Sequence, residues 1–421
     1  MKKNFVVITL LLVFASYAKA NSVQDEQAVI SSVQTKDVQN EQELITIVLM
    51  VKNEQAVMEQ TLEPFTKAGI KSFLIFDTGS TDDTISVTHN FFKKHHITNY
   101  VIAEEPFIDF ATSRNHALEA AEKEFPNTVF FVMPDAEWYM HNVKGLMDFC
   151  EQEREKSLPA YMVRVTNATI DFPVSRLIRA SAHARFERGV HETIPVREPK
   201  KVPQDVYFEL GMSRYGIEKS RKRWERDAAL LLREHESNPT DPRTTFYLAQ
   251  TYECLGDIEK AFHYYKLRAT QPGWREENYE TFYRLGRVTE RLSETDPSCT
   301  WPMAFEYYSI AHNIMPHRAE PLVRMAYHYW PDGVGPSNAA LCYLFAKRAC
   351  ELDYPDKDLL FIDPTMYNFK RYEILSKSAW QVGDFENGET ATRNALQAHE
   401  MPHLLNNLAA YVTRRTQQPQ Q

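Results

Sequence analysis

The sequence predicts a mainly parallel α/β sheet clad by helices on both faces, followed by an all-α array of helical repeats. Three observations point there. From residue 44 to residue 133, short apolar runs alternate with segments of helical spacing. Beyond about residue 220 the strand pattern stops and aromatic-rich helical stretches recur. The length, 421 residues, exceeds what one ordinary core accommodates.

The first part opens with Ile45 to Val51, a continuous β-branched and apolar run of the kind that is buried on both faces. Ala56 to Ala68 has helical spacing, with Val57, Leu62 and Phe65 facing a core. Strands follow at Ser72–Phe76, Tyr100–Ile102 and Thr128–Met133, separated by helices at Ile85–His95 and Arg114–Lys123. This alternation implies a parallel sheet with ligands beyond the carboxyl ends of its strands.

In the second part, Tyr247-Leu248-Ala249, Tyr252, Gly256-Asp257, Ala261, Tyr265 and Pro272 have the spacing of a tetratricopeptide unit. Weaker copies run through Leu285-Gly286 to Pro316, Met325-Ala326 to Ala346, and Leu375-Ser376 to Ala395. Small residues allow paired helices to approach while aromatics fill the groove between them. Ser293–Trp301 is an insertion that makes the array irregular.

The termini read differently. Lys2 and Lys3, the apolar run Phe5–Phe14 and Ala18-Lys19-Ala20 form a signal-peptide pattern. The expected divisions are a signal peptide at 1–20, a flexible linker at 21–43, the α/β domain at 44–215, repeats at 216–415 and a disordered tail at 416–421. Export follows: secretion, the periplasm or a secretory lumen, or a membrane tether if the leader stays. No later segment reads as a transmembrane span. The five cysteines form no C-x-x-C pair, which disfavours a zinc ribbon. A net charge of −9 disfavours nucleic-acid binding.

Three clusters carry candidate chemistry. Lys52-Asn53-Glu54 and Asp77 to Thr84 end neighbouring strands and make a cradle for a nucleoside, although Ser80, Thr81 and Asp82 also serve as helix caps. Asp135 and Glu137, two residues apart past a buried strand, can face one hard cation, or form a solvated acidic turn. His191-Glu192, near Arg176, Arg179, Arg185 and Arg188, offers a metal or phosphate contact and a base, or a mixed-charge surface strand. G-x-G-x-x-G, P-loop and G-x-S-x-G patterns are absent, which disfavours dinucleotide oxidoreductases, P-loop ATPases and α/β-hydrolases.

In this order, with Phe110 to Leu118, Asp135-Ala136-Glu137-Trp138, Arg176 to Arg179 and Val190-His191-Glu192, the clusters resemble a family 2 glycosyltransferase of the GT-A fold over about residues 44–200. Fusion to tetratricopeptide-like repeats is similar to known members, and Gly273 to Glu277 resembles their inter-repeat linker. The resemblance implies a nucleotide-sugar donor such as a UDP-sugar, a divalent metal (Mn²⁺ or Mg²⁺), and inverting transfer to a protein or glycan. It implies donor contacts at Asn53, Glu54, Asp77, Arg114 and Asn115, and metal ligands at Asp135, Glu137 and His191. Asp135 and Glu192 would be catalytic, Glu192 as base. The family's usual Asp-Ala-Asp-Glu is Pro134-Asp135-Ala136-Glu137 here, a departure at the metal motif. The alternative is a degenerate transferase-like domain whose repeats act as a protein-binding scaffold. A nucleotidyltransferase ranks last, because its Gly- and Lys/Arg-rich loop is missing.

Overall fold

The computed structural model describes residues 29–31, 42–211, 214–330 and 338–417. The expected signal peptide and the last residues of the tail lie outside the described residues.

Among the described residues, a nine-stranded sheet forms the first part. Its strands are β1 (Val29–Ser31), β2 (Glu43–Val51), β3 (Ser72–Asp77), β4 (Asn99–Glu104), β5 (Thr128–Val132), β6 (Trp138–His141), β7 (Ala160–Thr166), β8 (Asp171–Arg179) and β9 (Tyr207–Leu210). The spatial order is β1-β4-β3-β2-β5-β8-β7-β9-β6. β2, β3, β4 and β5 pair in parallel, as the alternating pattern predicts. The strands beyond β5 are mostly antiparallel, as is β1 at the other edge. β1 corrects part of the expected linker: Val29–Ser31 pairs with the edge of β4, where backbone groups would otherwise lack partners.

Alternate residues of β2 feed opposite faces. Ile45, Ile47 and Leu49 join one core with Leu62 and Phe65 of α1 (Met58–Lys67) and Phe91 and Phe92 of α2 (Thr84–Lys94). Val48 joins the other, with Ala117, Leu118 and Ala121 of α3 (Phe110–Glu124). α4 (Val143–Glu153) returns to the first face through Leu146 and Phe149. Each fully buried Phe or Leu contributes roughly 2–3 kcal/mol.

After β9 the described chain is largely helical. α5 (Arg214–Ser237) leads into α6 (Pro242–Leu255), α7 (Ile258–Ala269), α8 (Arg275–Leu292), α9 (Trp301–Ile314), α10 (Glu320–His328), α11 (Ala339–Cys350), α12 (Arg371–Val382), α13 (Phe385–Ala398) and α14 (Pro402–Gln417). α6/α7, α8/α9, α10/α11 and α12/α13 pack as consecutive pairs. Two pairs share one turn design. Gly256 and Gly383 take the left-handed conformation at the helix end (φ 83° and 81°), and Asp257 and Asp384 cap the next helix. A Cβ on Gly286 would meet the Tyr308 ring at 2.4 Å, and one on Gly388 the Tyr411 hydroxyl at 2.2 Å. The small residues are thus the seats of the large ones. No described helix is long and apolar enough to cross a membrane.

The array docks on the sheet domain at two places. Asp171 and Ile362 exchange backbone hydrogen bonds of 2.9 and 2.8 Å, with Lys201 Nζ donating to the Asp358 carbonyl nearby. At the other, Arg188 pairs with Asp241 at 2.7 Å, ahead of α6.

Candidate active site

The chain turns from β2 outward through β3 and β4, then returns to place β5 on the other side of β2. Loops leaving β2 and β5 therefore diverge, opening the cleft where such sheets bind ligands. β8 lies antiparallel beside β5, and Met133 N donates to the Arg176 carbonyl at 2.9 Å, so Arg176 stands at the carboxyl end of β5.

Two arginines and two carboxylates meet there. α3 starts at Asp109, whose carboxylate accepts from Thr112 N at 2.8 Å, and its second turn carries Arg114. Arg114 Nε donates to Glu192 Oε1 at 2.7 Å, and its Nη2 donates to Asp135 Oδ1. Arg176 Nη2 donates to the same Glu192 oxygen at 2.8 Å and lies 3.8 Å from Asp135 Oδ1. The side chains of Arg114, Arg176 and Glu192 are 2%, 6% and 8% exposed, while Asp135 at 33% opens the cluster to solvent. Phe186 lies 5.8 Å from the Arg114 guanidinium and 5.2 Å from that of Arg176, with Trp138 5.5 Å from the latter. These rings keep the guanidiniums fixed and dry.

Burial alone would raise the pKa of Glu192, but Arg114 and Arg176 outweigh it and hold the carboxyl at about 2. A carboxylate so stabilised has little affinity for a proton, so the base role expected of Glu192 does not suit its surroundings. Burial and the adjacent Arg114 charge push Arg176 below the usual arginine value.

The other expected residues are placed as follows. Asp77 is 3% exposed and its carboxylate is engaged by its own loop, accepting from Gly79 N at 3.2 Å, Ser80 N at 2.9 Å and the Ser80 hydroxyl. Asn53 has φ 56°, and its side-chain oxygen accepts from Thr81 N at 2.7 Å. Glu54 N donates to Thr84 Oγ1 at 2.7 Å, which ties the β2 loop to the start of α2. Asn115 is a staple: Nδ2 donates to the Phe186 carbonyl at 2.9 Å, and Oδ1 accepts from Phe186 N at 2.7 Å. Both ends of its amide are thus spent on backbone, which corrects its expected donor contact.

The metal expectation does not fit this arrangement. Asp135 Oδ1 already faces two guanidiniums within 4 Å. The His191 ring is stacked on Tyr247 of α6, centroids 3.8 Å apart; burial lowers its pKa to about 3 and keeps the imidazole neutral, so the misfit lies with the carboxylates and not with His191. Glu137 sits in a left-handed turn at φ 68°, its N–H donating to Thr61. Among the described residues, no group of three His, Cys, Asp or Glu side chains is arranged to hold a metal ion.

Asp227 on α5 was not singled out by the sequence. It is 5% exposed, and burial raises its pKa to about 6 against the pull of Arg223 and Arg226. Glu192 adds to that rise, and Arg223 also acts on His191, so this stretch of α5 lies in the electrostatic reach of the cluster. Asp227 Oδ1 has no hydrogen-bond partner among the described residues. The sequence carries no signal for it, since one Asp in a highly charged helix reads as solvated.

Residues 46–220 match the model of glycosyl transferase family 2. This span covers the sheet except β1 and the first residues of β2, the arginine cluster and the start of α5. No curated protein matches the chain. Solved structures similar to it are repeat proteins. MamA is 13% identical, with TM-score 0.33, over 44% of this chain and 95% of that one. TTC0263, a thermophilic TPR protein of Thermus thermophilus, is 19% identical, with TM-score 0.30, over 48% and 96%. YrrB, a TPR protein with an unusual peptide-binding site, is 14% identical, with TM-score 0.31, over 46% and 87%. The repeat character rests on the helix pairs themselves.

Proposed function

We propose that the protein transfers a sugar from a nucleotide-sugar donor, a UDP-sugar first among candidates, to a hydroxyl of a protein or glycan, with inversion. The observation that carries this reading is the cluster of Arg114, Arg176, Asp135 and Glu192 at the switch point of a sheet that matches glycosyl transferase family 2. Inversion requires one in-line displacement. The acceptor oxygen forms a bond to the anomeric carbon while the bond to the diphosphate oxygen breaks, and that electron pair leaves with the nucleoside diphosphate. The acceptor's proton passes to a carboxylate, and the candidate is Asp227, a buried carboxyl on α5 in the electrostatic reach of Glu192 with one oxygen unpartnered among the described residues. Glu192 then acts as the anchor that orients both guanidiniums.

The acceptor side has a candidate of its own. A cavity of about 420 Å³ lies between the β7–β8 turn (Thr169, Ile170) and Tyr283, Arg287, Arg324 and Lys370 of the repeats. It would receive part of a polar acceptor. The degenerate-scaffold reading draws on one observation, the engagement of Asp135 by Arg114. Incubating the full chain with a panel of nucleotide sugars and measuring free nucleoside diphosphate separates the two. Release above background supports transfer or donor hydrolysis; background levels with every donor favour the scaffold.

A further inference from the structure

Arg114 Nη1 and Arg176 Nε are buried donors with no hydrogen-bond partner among the described residues. They belong to adjacent guanidiniums that share Glu192 Oε1, and both are packed against Phe186. An unmade hydrogen bond from a buried cation is costly, and a fixed pair of such donors is matched by an oxyanion with several acceptor oxygens. Asp135 is the exposed member of the cluster, while the two unpartnered N–H groups are closed to solvent, so an oxyanion reaches them as the side chains covering them move aside.

We propose that Arg114 and Arg176 bind the diphosphate of the donor directly and take the place of a divalent cation, so that the site works without metal. This rests on the transferase reading above. The two positive charges stand against Asp135, where a metal ion would otherwise be held. A second cation there would face both guanidiniums, whereas a diphosphate meets two N–H groups already oriented and desolvated. As the anomeric bond breaks, charge grows on the departing diphosphate, where fixed donors are most effective. Asp135 then serves to orient Arg114.

The test is calorimetric titration of the full chain with UDP, GDP, CDP and inorganic diphosphate, in EDTA and again in Mn²⁺. The expected result is binding of diphosphate and of one nucleotide in EDTA, with Kd changed less than about twofold by Mn²⁺. Arg176→Met should weaken binding by about 10–100-fold, the loss of one charge-assisted hydrogen bond. Arg176→Lys, which keeps the charge but not the Nε donor, should recover only part of it. Circular dichroism of each variant separates lost binding from lost fold. Binding that appears only with Mn²⁺ overturns this inference and leaves the transferase standing. Absence of binding in both conditions overturns both.

Discussion

His191 stacks face to face on Tyr247, ring centroids 3.8 Å apart and planes 16° from parallel. The contact joins the loop that carries Glu192 to the first repeat helix, and Arg243 reinforces it by lying 4.8 Å over the Tyr247 ring and donating to the His191 carbonyl at 3.4 Å. The repeats therefore help to hold the arginine cluster in register.

Tyr247→Ala should raise the KM for donor as well as slow turnover, because it loosens the Glu192 loop that orients Arg114 and Arg176. Loss of a buried ring should also cost about 3–5 kcal/mol of stability. Tyr247→Phe keeps the stack and should behave as wild type in both respects. Steady-state kinetics with thermal melts checks the pair.

Glu192→Gln leaves two buried guanidiniums without their shared anion. Glu192 has a folded pKa of about 2 against an ordinary 4.5, so its stabilisation is fully present above pH 4.5 and is lost as pH falls toward 2. The shift corresponds to roughly 3 kcal/mol. Urea melts should show the variant less stable at pH 7 by about that amount, with the gap closing in acid. A gap independent of pH would contradict the pairing.

Asp227→Asn has the opposite sign. Its folded pKa is raised to about 6 from an ordinary 3.8, so ionisation in the fold is penalised increasingly as pH rises from about 4, and fully above 6. The penalty is roughly 3 kcal/mol, set by burial and Glu192 against Arg223 and Arg226. The variant should melt higher than wild type at pH 8, not at pH 4, and yet lose at least about a hundredfold in kcat, in line with general-base contributions. Higher stability with unchanged kcat would make Asp227 a structural carboxylate.

Gly286→Ala should destabilise the array by about 1–3 kcal/mol, because the new methyl meets the Tyr308 ring at 2.4 Å. Gly286→Ala with Tyr308→Phe should not relieve it, since the near atoms are ring carbons. Denaturant melts of both variants test the seat-and-ring packing.

The parallel core was legible because β2, β3 and β5 are dominated by apolar and β-branched runs, the signature of a strand buried on both faces. β6 to β9 carry mixed residues, such as Met162, Arg164 and Thr166 facing away from a one-sided core, and their pairing is set by tertiary contact with no strong local pattern. The repeats announced themselves through Gly256-Asp257 and Gly383-Asp384. At the site, residue types were legible but their partners were not. Asn115 reads as a ligand contact until the Phe186 backbone is seen to engage it, and nothing in the spacing of His191 shows that its ring stacks on Tyr247 of the repeats. Both partners are distant along the chain, which local spacing cannot register.

The most direct measurement is a crystal structure of the full chain soaked in EDTA with the nucleoside diphosphate that binds most tightly. The diphosphate is expected beyond the carboxyl ends of β2 and β5, with oxygens about 3 Å from Arg114 Nη1 and Arg176 Nε. A nucleotide bound elsewhere, or one whose diphosphate leaves both guanidiniums unengaged, would contradict the proposal.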